Sequence, residues 1–452
     1  MELTELLRVS LPSELGQLRA APVALGPNEE AILLKWSACA GVDPYHEMFF
    51  FPTDTLKLSV VSHDGEILWQ RDLGPGVVPG TWFCPVFPFD LDGDGVEEIW
   101  FVNNVDADHP LGVSNYRLER LDALTGETTG QWPWPAYDTD QVISHMFRNF
   151  ILGGTVDGAP VLLTAQGTYG DMFLQGWDPG HEPRWETVIR HDEPGAEGSH
   201  MCPVVDLNGD GRDEVMWGEH CIELDTGEER FCADRESYSG HSDVVQPVLD
   251  YDGGRWYLYT CRESDGDVSP RVALFDDRGE RVWGAVERGH MDMGWVARLG
   301  EDRRPVAMAI RIGHKTAGPG GFAREGIEEF ALDALTGEPL GLPFSTYRTL
   351  PVDLNGDGYH ELIRGGAAGG EVIDRHGNVL GTVNGHVAMV HRFMDHPGEQ
   401  ALVHRPDGTV SVYADADAED GRFARKRYAN PFYTANRRLG AVGYNPHVLG
   451  GL

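Results

Sequence analysis

One pattern recurs along the chain: an apolar alternation, an aspartate, a turn ending in glycine, and a second alternation. It reads SVVSHDGEILWQ, LERLDALTGETTGQW, FLQGWDPGHEPRW, IELDTGEERF, VALFDDRGERVWG, FALDALTGEPLG, EVIDRHGNVLGT and SVYADADAEDGRF. Period-two alternation marks strands buried on one face, and a Gly-ending turn between two such runs marks a hairpin. The turn glycines are Gly65, Gly126, Gly180, Gly227, Gly279, Gly337, Gly377 and Gly421, at a mean spacing of about 51 residues. A second hairpin precedes each, clearest in CPVFPFDLDGDGVEEIWFV, CPVVDLNGDGRDEVMWG and LPVDLNGDGYHELIRG. Two hairpins per repeat make one four-stranded antiparallel blade, so the pattern predicts an all-β, eight-bladed β-propeller, with seven blades as the alternative. No linker divides the chain. Residues 1–452 are expected to form one propeller domain, with about 1–20 as an N-terminal extension and about 428–452 as a tail that closes or covers the ring.

Three of the inner hairpins carry the same acidic loop, D-x-[DN]-G-D-G-x-x-E. Its expected ligands are Asp90, Asp92, Asp94, the Val96 carbonyl and Glu98; Asp206, Asn208, Asp210, the Arg212 carbonyl and Glu214; and Asp353, Asn355, Asp357, the Tyr359 carbonyl and Glu361. Oxygens converging from these positions suit a hard cation, and Ca2+ is the expected ion. Calling the strands of a blade A to D from the channel outward, these loops join A to B. The D-to-A and B-to-C connections then lie on the opposite rim, so the calcium loops are expected to staple hairpins rather than to do chemistry.

Most of the 18 histidines fall on that opposite rim. Gly-His-x-Asp occurs twice at the same point of consecutive blades, giving His241 with Asp243 and His290 with Asp292. His241, His290, Lys315 and Tyr444 are the expected proton handlers. Arg262, Arg311 and Arg364 are expected to bind carboxylate, and His314, Asp243, Asp292, His200 and the stacking ring Trp82 to complete the substrate site.

Acidic residues number 72 against 36 basic ones, a net charge of −36. A phosphate-tracking nucleic-acid binder needs a basic face, and an anionic membrane surface also disfavours this balance. No apolar run is long enough for a membrane helix. The segment MELTELLRVSLPSELGQL lacks the layout of a signal peptide, which predicts a cytoplasmic protein, or a secreted one if a leader was removed. Six cysteines show no metal spacing. Cys221 and Cys232 flank a turn and could face each other, with two reduced thiols the plainer reading.

PVDLNGDGYHELI, HRFMDHPGEQALVHRPDGTVSVYAD and ARKRYANPFYTANRRLGAVGYNPHVLGG resemble the closing blades and tail of the rhamnogalacturonan lyases of the eight-bladed propeller type, and GHSDVVQPVLDYDGGRWYLYTCRE resembles that family's Gly-His-Gly-Asp segment. The resemblance implies β-elimination at a uronic acid–rhamnose type linkage, with calcium beside the substrate, His241 and Asp243 helping to hold metal or substrate, and Tyr444 and Asn445 matching the tail's Tyr-Asn. The tail motif here is shorter than the family's. The implied partner is an acidic oligo- or polysaccharide. A glycoside hydrolase using Asp243 and Asp292 as its carboxylate pair, and a non-catalytic carbohydrate-binding propeller, are the alternatives.

Overall fold

The computed structural model describes the chain except residues 136–141, 264–267, 319–320 and 366–368. Eight four-stranded antiparallel sheets form the blades of a closed propeller. Seven of them run A to D in chain order, as in blade 1 with Gln17–Gly26, Glu29–Ser37, Lys57–Val61 and Ile67–Asp72. The eighth combines His386–His391, Gln400–His404 and Thr409–Asp415 with the first strand, Leu3–Ser10, whose Leu3 faces Asp415 and Ser10 faces Thr409. The chain's own start thus supplies the outermost strand of blade 8 and pairs the edge that Thr409–Asp415 would otherwise expose.

The outer hairpin expected around Gly421 does not form. The first strand holds that position, and Gly421 instead precedes a helix, Arg422–Tyr428. The run RFARKRY has no period-two alternation to sustain a strand. The chain continues through Pro431–Asn436 and two 3-10 segments, Arg437–Ala441 and Asn445–Gly451, which pack on the innermost strands of several blades and so fill the channel. Leu439, Val442, Val448 and Leu452 are buried there. The tail is therefore a plug whose upper end, at Tyr444, forms part of the floor of the histidine-rich rim.

The recurring turn glycine has a packing reason as well as a conformational one. Gly126 (φ 70°) and Gly227 (φ 71°) are left-handed, and a Cβ would stand 2.6 Å from the Trp69 ring and 2.2 Å from the Trp185 ring of the preceding blade. Those indoles donate to Ala123 O (2.8 Å) and Leu224 O (2.9 Å) beside the same turns. Each turn thus clasps its neighbour's outer strand. Blade 6 carries one departure from the repeat, a hairpin of His314–Gly318 and Gly321–Glu325 inserted between its B and C strands. Cys221 pairs in register with Phe231 rather than Cys232, and all six cysteines are thiols. Among the described residues no helix is long and apolar enough to cross a membrane.

Candidate active site

The inner strands of blades 4, 5 and 6 begin just after the D-to-A connections, and this delivers His200, His241 and His290 to one funnel. Glu263 follows directly on the B strand of blade 5, Arg255–Arg262, and its carboxylate joins two groups. Oε2 lies 2.8 Å from His241 Nδ1 and accepts from the Tyr169 hydroxyl at 3.2 Å. Oε1 lies 2.9 Å from His290 Nε2 and accepts from Lys315 Nζ at 2.8 Å. Asp243 Oδ1 is buried, accepts no hydrogen bond, and stands 3.6 Å from His200 Nε2 and 3.8 Å from His241 Nε2. Asp292 Oδ1 is 3.5 Å from His290 Nε2, and its other oxygen pairs with Arg324 from the inserted hairpin. Lys315 and Arg324 are cross-strand partners in that hairpin, so both point from one face onto the carboxylates.

Burial and charge sort these groups. Burial, then the neighbouring Glu263 and Asp292, push Asp243 well above the usual carboxylate range. Burial would raise Glu263 too, but the hydrogen bonds with His241 and His290 and the charge of Lys315 hold it well below. Burial opposes the charge on His290, yet Asp292 and Glu263 raise it to about 10. Lys315 is likewise raised, against burial, by Glu263 and Asp292. Burial, the nearby His241 and Arg148 keep His200 well below its ordinary value. His145, half-buried in the same funnel, is lowered by burial and Arg148. The funnel therefore holds charged groups (His290, Lys315) beside neutral imidazoles (His200, His145).

Two donor sets could hold a cation here: His200, His241, Asp243 and Glu263, and next to it Glu263, His290 and Asp292. In the first, the Asp243 oxygen that accepts no hydrogen bond is the kind of buried acceptor a divalent ion satisfies. In the second, the Lys315 ammonium already stands between the ligands. On the opposite rim Asp90, Asp92 and Asp94 form a third set. The three acidic loops share one conformation, with φ of 75° and 92° at Gly93 and Gly95, 75° and 90° at Gly209 and Gly211, and 75° and 89° at Gly356 and Gly358. Burial and neighbouring acids raise Glu98 and Glu214 to about 7, an arrangement a cation relieves. The third loop differs. Asp353 Oδ2 accepts from buried Arg427 at 2.7 Å, while Oδ1 is buried and accepts no hydrogen bond.

The structure brings together His200, His241, Asp243, His290, Asp292, Lys315 and Tyr444, all but His241 lining one cavity of about 390 Å³. It gives five other expected residues different work. Arg262 is fully buried, bonded to Glu219 (3.0 Å) and Asp234 (2.9 Å) and stacked on Tyr238. Arg311 pairs with Glu328 and Arg364 with Glu371. His314 is exposed, its ring 3.3 Å from the Thr316 hydroxyl, because strand alternation turns it away from the face that carries Lys315. Trp82 is buried in the wall, between His200 at 4.8 Å, Tyr444 at 5.0 Å and Arg148 at 4.8 Å, and offers no open ring. Glu263 and Arg324 were missed. Glu263 is the next residue after Arg262, so the signal was one step of strand parity away. Arg324 lies on an insertion that the repeat does not announce.

No family model matches the chain. Over 314 residues it is 26% identical to the rhamnogalacturonan exolyase YesX of Bacillus subtilis (strain 168), and over 310 residues 23% identical to the rhamnogalacturonan endolyase YesW of the same organism. The chain resembles the rhamnogalacturonan lyases. The first alignment takes in 61% of this chain and 49% of the relative, the second 61% and 48%, so the chain spans about half the length of the curated relatives it matches. The fold agrees. The crystal structure of the exotype rhamnogalacturonan lyase YesX superposes with a TM-score of 0.75 at 18% identity, over 97% of this chain and 80% of that one. A Bacillus licheniformis rhamnogalacturonan lyase gives 0.75 at 19%, over 98% and 81%.

Proposed function

We propose that the protein is a lyase that cleaves a uronic acid–rhamnose type linkage in an acidic oligo- or polysaccharide by β-elimination. The observation that carries this reading is the Glu263 junction, which places neutral and protonated groups within one funnel in a chain similar to rhamnogalacturonan lyases. β-Elimination needs the uronate carboxylate neutralised, the C5 proton accepted, and the leaving oxygen protonated. Lys315 and Arg324 supply positive charge at the carboxylate. His145, a neutral imidazole facing the funnel, accepts the proton. His290, held protonated by Asp292 and Glu263, donates to the leaving oxygen. Tyr444, pushed up by burial, stays a neutral hydroxyl that orients the sugar. A divalent cation held by His200, His241, Asp243 and Glu263 would add Lewis-acid neutralisation of the carboxylate. Calcium in the three acidic loops on the other rim serves stability.

The test is incubation of rhamnogalacturonan oligosaccharides with the protein and calcium while the ultraviolet band of the unsaturated uronate is followed. A rise supports the lyase. New reducing ends without that band would make it a hydrolase and overturn the reading, as would binding without cleavage.

A further inference from the structure

The same backbone irregularity occurs in the inner strands of three blades. In Ser242–Asp250 the pairing passes from Ser242–Arg262 to Val244–Cys261, so Asp243 is an extra residue in the ladder. In His290–Arg298 it passes from Met291–Arg311 to Met293–Ile310 around Asp292, and in His386–His391 from Val387–Val403 to Met389–Leu402 around Ala388. A bulge of this kind bends its strand and re-aims one side chain. Both funnel aspartates are therefore bulge residues, while blade 8 keeps the bulge and carries alanine there.

The two bulges are held differently. The Asp292 carboxylate is fixed directly, by Arg324. Asp243 Oδ1 accepts no hydrogen bond, so its aim depends on the backbone that carries it, and that backbone is clamped from blade 4. Glu219, in the turn between Glu214–Trp217 and His220–Glu223, is fully buried, as are Ser242 and Arg262 of blade 5. The Ser242 hydroxyl donates to both Glu219 oxygens, at 2.9 and 3.1 Å, and Arg262 Nε donates to Oε1 at 3.0 Å. Ser242 and Arg262 face each other across the ladder. His241 and Asp243 flank Ser242, and Glu263 follows Arg262. Backbone bonds complete the junction: His200 N donates to Ser242 O at 3.4 Å and Glu263 N to His241 O at 3.0 Å. All four members of the His200, His241, Asp243 and Glu263 set thus hang on the pair that Glu219 holds. In blade 6 the matching pair is Met291 and Arg311. Met291 has no hydrogen to donate, and Arg311 pairs with Glu328.

We infer that Glu219 is a positioning residue of the funnel: it holds the bulge at Asp243 and the strand end at Glu263, and so sets the spacing of the four groups. Glu219 does not line the funnel cavity and acts through Ser242 and Arg262. Asp234 also accepts from Arg262, at 2.9 Å, and pairs with Arg281 at 3.1 Å. Its carboxylate bonds arginines and not the bulge, which makes it the control. The inference rests on the lyase reading only for the reaction that these groups serve; the clamp itself is geometry.

The experiment compares the full chain with Glu219→Gln, Ser242→Ala and Asp234→Asn. Turnover of rhamnogalacturonan oligosaccharides is followed in the unsaturated-uronate band, stability by melting temperature, and the ring resonances of His200, His241 and, as a distant reference, His391 by NMR. Glu219→Gln and Ser242→Ala should lower kcat per folded molecule by about 10–100-fold, the usual cost of releasing a group that orients a site, with a much smaller change in KM. Both should move the His200 and His241 signals and leave His391 in place. Asp234→Asn should lower the melting temperature and leave kcat and the two signals unchanged. Unchanged kcat and signals in the first two variants, or the same losses in Asp234→Asn as in Glu219→Gln, would make the buried ion pair structural only and overturn the inference. Ser242→Ala removes a single hydroxyl, so it decides the question if Glu219→Gln folds poorly. The two readings separate. Displaced His200 and His241 signals in a protein that forms no unsaturated product remove the lyase and leave the clamp. Unsaturated product at the wild-type kcat in both variants removes the clamp and leaves the lyase.

Discussion

On one rim Asp90, Asp92 and Asp94 come from five consecutive residues, and Asp90 is held by the amides of its own loop, from Gly93 at 2.7 Å and Gly95 at 2.9 Å. On the other rim Asp243, Glu263 and Asp292 come from two blades, and Glu263 is held by side chains, His241, His290, Lys315 and Tyr169. The first cluster is solvated and local, so it costs little and needs only its glycines. The second is buried, and it exists only because the ring closes and the tail plugs the channel. A buried carboxylate must be protonated, paired or bound to a cation. Before any cation binds, the second cluster uses the first two devices, protonation at Asp243 and pairing at Glu263. That places it where chemistry can use the charge, whereas the first is the one proposed as a clip.

The sharpest way to break this comparison is at its junction. Glu263→Gln keeps the size of the side chain and removes the charge that protonates His290 and Lys315. Turnover should fall by about 10²–10⁴-fold, the usual cost of disabling a proton-transfer group, in molecules that stay folded even where the lost pairing lowers the melting temperature. Full activity on a cleaved substrate would show that the junction is structural. Arg427→Ala should do the reverse. It strips the partner from buried Asp353 and should cost about 3–5 kcal/mol in denaturant unfolding, while active molecules keep their kcat. A loss of activity without loss of stability would mean that the two rims are coupled through the tail.

Acid tests the same contrast across the whole protein. His391, His404 and His447 are pushed by burial to about 4, with His386 and Arg19 adding to the effect at His404 and Arg19 at His447. A histidine whose folded value lies below its unfolded value near 6.5 binds protons more readily when unfolded. Stability from these three is fully present above about pH 6.5 and is lost as pH falls toward 4. The melting temperature should drop steadily over that window, and His391→Asn should make the slope shallower. A flat profile between pH 7 and 4 would refute it.

How much of this was legible follows from the same physics. Period-two alternation and glycine turns are local, so eight blades could be read directly, and the one misread hairpin, around Gly421, failed because its partner strand, Leu3–Ser10, lies at the other end of the chain. The shared conformation of the acidic loops was legible because each loop's motif lies within nine residues. The histidines were legible as a face, since their position in each blade repeats. What could not be read was parity and insertion. Arg262 and Glu263 differ by one step along a strand, which decides core against funnel, and Arg324 arrives on a hairpin outside the repeat.

The smallest expected effect sharpens the comparison most finely. If the acidic loops are clips, calcium binds the folded state alone, and its contribution is set by mass action at about 1–3 kcal/mol for millimolar ion over a site of modest affinity. Chelation should lower the melting temperature of the wild type by a few degrees. Asp90→Ala and Asp206→Ala should each lose part of that response, because each removes the carboxylate that gathers its loop's amides. The Asp353 loop should respond least, since Arg427 already supplies a positive charge to its first ligand. The rate at saturating substrate should survive both substitutions as long as calcium remains for the funnel. If instead Asp90→Ala abolished turnover while leaving the melting temperature and its calcium response intact, the assignment of the two rims would have to be exchanged.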